Sequence, residues 1–505
     1  MASALKERKN YRIFEIVSKT FCMIILGFLP IWVDTNGYSA ITECKFKTFR
    51  FFSYSYFIVV IAIIAVCLIR TYLLHSKVNV LERREAELPL QISLPQIIIL
   101  IYVIWNAISA ITSKYGKDTW LGQGRFEGML SVILYSFVFI LVSCHGEYSK
   151  WYSRVMTMAV VFFCILGYAQ LFKEGVIYPD GYSFWEARFV STIGNVDMVG
   201  GYVSLVLPVM FCSFVYSDTK IWDYVYLGTI ALLTYLFILS DVDSGKVGLA
   251  VGLIFAFCFL VDERKHLIRT LVALGTFAGS FFLQVFLNQS KGGFKPHFGT
   301  KALVLLAGTI ACFGLAYFLS KTKFSLGWSK EKARKIALVL MICVIVICLL
   351  FIFFYNGDNR LLADAHNVLH FNLTDDAGSG RGYIWKSAWG LAKETPIKGN
   401  GPGTFGESYK HLDTFDTYTD FAHNDFVQIA VCIGFVGLAI YVAFLIAFAW
   451  RALKNAAKCE YIVIFASGCA AYLAHSFFSF SLAIITPSFW VMAGIVDKLV
   501  KQLEE

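Results

Sequence analysis

Apolar residues run in long blocks along nearly the whole chain, divided by short segments where the charges gather. A helix needs about 20 such residues to cross roughly 30 Å of hydrocarbon. By length and loss of charge, about fourteen blocks qualify. They lie near residues 14–33, 50–74, 94–112, 126–144, 153–172, 197–216, 222–240, 245–261, 268–287, 301–320, 335–355, 424–450, 460–478 and 482–499. The pattern predicts an all-α, polytopic membrane protein forming a single integral membrane domain over residues 1–505. One segment breaks the rhythm of short connections. Residues 356–423 form a long loop, and such loops are often lids or carry active-site groups. Within it Ile384, Trp385, Ala388, Trp389 and Ala392 share one side at helical spacing, and Pro396 stops the run. This predicts a short helix over 381–393 along the membrane interface, followed by a flexible Gly-rich turn, KGNGPGTFG.

Composition supports lipid as the solvent: 58% of residues are hydrophobic and 16% charged. The net charge of +9 does not point to nucleic acid. Lys and Arg fall in alternate short loops, as the positive-inside rule expects, and no basic groove or stacking platform is evident. That bias puts 70–84, 264–269 and 321–335 in the cytoplasm together with both termini, and puts 356–423 outside. The basic N-terminus precedes an apolar run without a small-residue cleavage site, so it reads as a retained first helix. The thirteen cysteines form no CxxC pair, and Cys44 alone falls in a loop expected outside, so structural disulfides are not expected.

Candidate chemistry collects at the ends expected to face outward. His423-Asn424 stands where the long loop re-enters the membrane. Asn424 and Asp425 suit a helix cap, while a neutral His beside the interface suits a general base. Arg381 begins the loop helix, where the dipole disfavours a structural cation and favours anion binding. Arg188, Arg125 and Lys246 are further cations at helix ends. Snorkelling accounts for any one of them, and Glu127 is a ready partner for Arg125. Asp241-Val242-Asp243 is read as a helix-start cap rather than a metal-holding pair. His366 and His370 stand four residues apart without an evident third ligand, and KGNGPGTFG lacks the ending of a phosphate-binding loop. No metal or cofactor is expected.

Taken together, these segments resemble the O-antigen ligase and polymerase superfamily of bacterial envelope glycan enzymes. His423-Asn424, nine residues, Gly434, two residues and Gly437 match its His-led motif. Arg381 through Trp389, followed by Thr395 to Phe405, resembles its Arg-led helix and turn. Arg188 to Asn195, ahead of Gly201 and Pro208, resembles its earlier Arg segment. The chain departs from the pattern at Trp385, where Leu is common, at Asp197, where a second Asn is expected, and at Lys246, where many members have Arg.

The resemblance implies a metal-independent, inverting glycosyltransferase in a bacterial inner membrane. Its donor would be a glycan on undecaprenyl or another polyprenyl diphosphate. Its acceptor would be a hydroxyl of a glycan, lipid or protein. His423 would be the base, and Arg381 and Arg188 would hold the leaving diphosphate, with Arg125, Lys246 and Asn424 as further substrate-binding candidates. The loop 356–423 would serve as catalytic lid. A lipid-linked glycan flippase, or another transporter, is the rival from a different class. Transporters commonly show paired halves and midplane polar groups, whereas here the polar residues keep to one face.

Overall fold

The computed structural model describes residues 2–75, 92–146, 148–172, 189–287, 289–290, 293–322, 329–410 and 419–504. Apart from a two-stranded hairpin pairing Gln289–Ser290 with Gly293–Phe294, it is all helix and turn. Besides single turns at Gly37–Ala40 and Asp118–Leu121, the helices are α1 (Ala2–Met23, extended through a π turn to Ile31), α2 (Ile41–His75), α3 (Leu94–Ile111), α4 (Met129–His145) and α5 (Lys150–Phe172). Next come α6 (Val196–Val215), α7 (Lys220–Ser240), α8 (Asp243–Leu260), α9 (Arg264–Leu287), α10 (Thr300–Lys321) and α11 (Lys330–Phe353). The long loop carries α12 (Arg360–Leu369), α13 (Ala377–Glu394) and α14 (Phe405–Lys410), and the chain ends in α15 (Asp425–Ala456), α16 (Glu460–Ser476) and α17 (Thr486–Glu504).

Among the described residues, eleven helices are long and apolar enough to cross a membrane. The other three expected spans are the helices α4, α16 and α17, of 17, 17 and 19 residues. The protein is a multi-pass membrane protein. Its second helix starts nine residues earlier than its apolar run. Lys45 permits this: its buried ammonium donates to the carbonyls of Leu29 and Pro30, which the end of α1 leaves without helical partners.

The bundle is layered around α6. The whole apolar window of α6 lies inside the protein, against 6% of that of α11, which faces outward on nearly every side. Helices α7, α8 and α16 wrap α6. Close approach is set by small residues: a Cβ on Gly245 of α8 would stand 2.8 Å from the carbonyl oxygen of Gly200 on α6. Successive helices alternate in direction. The end of α3, the starts of α4, α6, α8 and α15 and the end of α16 therefore meet at one end of the bundle, the end expected to face outward.

Candidate functional site

The site is built on a break in α15. Ile433 and Gly434 leave helical geometry, Gly434 with φ +76° and ψ 174°. A broken helix frees backbone groups that must find partners, since lipid offers none. The Gly-rich segment supplies them. Asn400 N–H donates to Val431 O at 3.1 Å, Gly401 N–H to Cys432 O at 2.6 Å, and Phe435 N–H to Pro396 O at 2.7 Å. Trp105 Nε1 of α3 donates to Ile433 O at 2.9 Å. A Cβ on Gly434 would overlap the carbonyl oxygen of Ile397, so the first glycine of the His-led motif is where loop backbone meets helix backbone. KGNGPGTFG, expected to be flexible, is pinned in place with Gly399, Gly401 and Gly403 all at positive φ.

At the start of α15, Asn424 Oδ1 accepts from Phe426 N–H and Val427 N–H at 2.9 and 3.0 Å, which makes it the helix cap. Asp425 accepts from the backbone and hydroxyl of Ser481 and ties the cap to the turn after α16. His423 lies just outside, at φ +50°. Left-handed geometry costs a non-glycine residue roughly 1 kcal/mol or more, and it persists only where neighbours enforce it. Here they do. Trp385 Nε1 of α13 donates to Ala422 O at 2.9 Å, and Ala422 N–H donates to Gln428 Oε1 at 3.0 Å. The imidazole sits edge-on to Phe480 with ring centres 5.0 Å apart. Its Nδ1 is buried and without a hydrogen-bond partner among the described residues.

Arg381 begins the regular part of α13, after three left-handed residues, Gly378, Ser379 and Gly380. The expected helix is present, but it packs its Ala388, Leu391 and Ala392 into the protein, against α15. The structure brings His423, Arg381 and Arg125 together with two carboxylates, Asp197 and Asp420, all within electrostatic reach of the imidazole. Arg125 Nε donates to Asp420 at 2.7 Å and its guanidinium covers Phe421, while Arg381 and Asp197 stand 3.9 Å apart. Burial, and then the charge of Arg381, hold the His423 pKa below its usual value, with Asp197 and Asp420 opposing.

Several sequence expectations change. Glu127 does not take Arg125; it accepts from Tyr135 OH at 2.9 Å, and burial pushes its carboxyl up to about 8. Asp241 and Asp243 do not cap α8. Both bind Lys246, at 2.5 and 2.7 Å, so the Lys246 charge is more than offset within its own cluster. That cluster borders a cavity of about 590 Å³ reaching Phe277, Phe281 and Lys301. His366 and His370 lie with ring centres 4.1 Å apart and planes tilted by 36°, and among the described residues no three His, Cys, Asp or Glu stand together as metal ligands would. Cys44 lies buried in α2 rather than in a loop. Arg188 falls outside the described residues.

Sequence reasoning missed Asp197 and Asp420 as members of the site. It also missed His475 at the end of α16, which is buried against Gly201 and beside the backbone of Ser244. Only the departure from the family pattern at Asp197 gave any signal.

Residues 298–442 match the family described as O-Antigen ligase, a span that holds α10 to α14, His423 and both motif glycines. Together with the multi-pass architecture, the match supports, at the level of the superfamily, a membrane enzyme of the ligase and polymerase type that handles glycans. No curated protein and no solved structure matches the chain.

Proposed function

We propose that this protein joins a glycan carried on a polyprenyl diphosphate to an acceptor hydroxyl at the outer face of a bacterial inner membrane, with both termini in the cytoplasm. The observation that carries the proposal is the half-buried imidazole of His423, held in left-handed geometry between two guanidinium groups and two carboxylates. In the proposed reaction the acceptor O–H gives its proton to His423, and its oxygen bonds to the anomeric carbon. The bond from that carbon to the diphosphate oxygen breaks on the opposite side, inverting the centre, and the diphosphate leaves with the electron pair. Nε2 is the nitrogen assigned as base, because Nδ1 is buried.

Arg381, with Arg188 and Arg125, would hold the departing diphosphate in place of a metal. Lys246, already bound by two aspartates, is the weaker cation for that task. Asn424 contributes by fixing the cap that aims His423, and any contact with substrate is left to its amide nitrogen. Ligase and polymerase share this chemistry and differ in acceptor.

The test is His423→Ala supplied with donor already loaded in the outer leaflet. Transfer is expected to fall by about 10²- to 10⁴-fold with the donor pool intact. Unchanged transfer means that His423 is only part of a helix cap. In a parallel assay with donor supplied in the inner leaflet, failure of the same variant to deliver it to the outer leaflet favours the flippase instead.

A further inference from the structure

Two carboxylates face His423, and they are held differently. Asp420 is locked on Arg125 at 2.7 Å, a full hydrogen bond. Asp197 faces Arg381 at 3.9 Å, with side chains 34% and 23% exposed, too long for a hydrogen bond. Nor does the backbone need Asp197. The cap of α6 is Asn195, whose Oδ1 accepts from Met198 N–H at 3.1 Å. A carboxylate in a first helical turn is favoured by the dipole, and that alone explains an acidic residue there. It does not explain why the residue stands against the arginine assigned to an anion.

We propose that Asp197 is a positioning residue that holds Arg381 while the site is empty and, once a diphosphate takes Arg381, turns its own charge toward the imidazolium of His423. This inference rests on the reading of Arg381 as a diphosphate ligand and deepens it. Among the described residues, the charges within electrostatic reach of His423 are Arg381 from α13, Asp197 from α6, and Arg125 and Asp420 from the two loops beside it, and the ring of Phe480 meets the imidazole edge-on. In the empty site these four charges cancel. An arriving diphosphate neutralises Arg381, so the sum becomes negative and the imidazole becomes a stronger base. The base is then strongest when a donor is present to be attacked. An acceptor that arrives first meets a weaker base.

The experiment uses the full-length protein in lipid nanodiscs with inorganic pyrophosphate as the probe. Diethyl pyrocarbonate acylates neutral imidazole, and peptide mass spectrometry reads the pH midpoint of modification at His423 between pH 5 and 8. Pyrophosphate is expected to raise the wild-type midpoint by about half to one unit. Asp197→Asn is expected to lower it by a similar amount in the absence of pyrophosphate and to bind pyrophosphate roughly threefold to tenfold more tightly. Asp197→Glu should restore the wild-type midpoint, which a purely structural role does not predict. If Arg381→Gln weakens pyrophosphate binding while Asp197→Asn moves neither midpoint nor affinity, this inference is wrong and the diphosphate reading stands. If Arg381→Gln binds pyrophosphate as well as wild type, the diphosphate reading fails and takes the inference with it.

Discussion

The two ends of the bundle treat polar groups in opposite ways. At the end away from His423, charges are matched. Asp497, 1% exposed, accepts from Ser93 Oγ and Ser143 Oγ at 2.7 and 2.6 Å and faces Arg451 at 3.5 Å, while Arg451 also reaches Glu504 at 2.9 Å. Asp262 takes Arg334 and His266 at 2.6 and 2.8 Å. The atoms left over there are the Ser213 hydroxyl and N–H groups of Arg334 and Arg451, whose guanidiniums already face carboxylates. At the His423 end the leftovers are different: His423 Nδ1 and the hydroxyls of Thr192, Ser244 and Ser479 are buried without partners among the described residues. Buried polar atoms are nearly always satisfied, so a group of exceptions at one end calls for an explanation. Matched charges hold the fold together, and the unmatched polar atoms collect at the end where the proposed reaction takes place.

Substitutions at the two ends should therefore fail in different ways. Arg381→Gln should cost about 10²- to 10³-fold in transfer, measured with preloaded donor, and leave the melting temperature in detergent nearly unchanged. Asp497→Ala should do the reverse. It strands Arg451 beside an emptied pocket and should lower stability by about 3 kcal/mol, read by thermal unfolding, with transfer per folded molecule retained. If Asp497→Ala instead abolishes transfer in folded protein, the division between the ends is wrong. Gly434→Ala sits between the two classes. Forcing a Cβ into the left-handed break should cost roughly 2 kcal/mol and loosen the segment 396–401, so stability and transfer fall together.

The smallest expected effect is in pH. A general base works when neutral, and His423 is neutral above its pKa. Burial and Arg381 lower that pKa in the donor-free site, so the acid limb of kcat/KM, which reports the free enzyme, should lie below the reference value of about 6.5. A limb at or above that value would remove His423 as the group titrating.

The fold was largely legible because lipid imposes a length and a polarity on every crossing, and both can be counted along the chain. The helix begun by Arg381 was legible too, since Ala388 and Ala392 repeat at its period and Pro396 ends it. Side-chain pairing was not. Arg125 and Asp420 are 295 positions apart, and Arg125 has an acidic neighbour two residues away that it ignores. The break at Gly434 was hidden for a related reason. A glycine in an apolar run reads as a close-packing position, and only the carbonyls of Pro396 and Ile397 lying against it show that the helix stops there.

The pinning of residues 396–401 onto the broken α15, with Trp385 clamped on Ala422, has a mechanical result. Most of the segment between α11 and α15 is bolted to the bundle at two places and cannot swing as one flap. Of its helices, only α12 has no buried residue. Among the described residues of that segment, α12 is therefore the part that can move without drawing buried side chains out of the bundle.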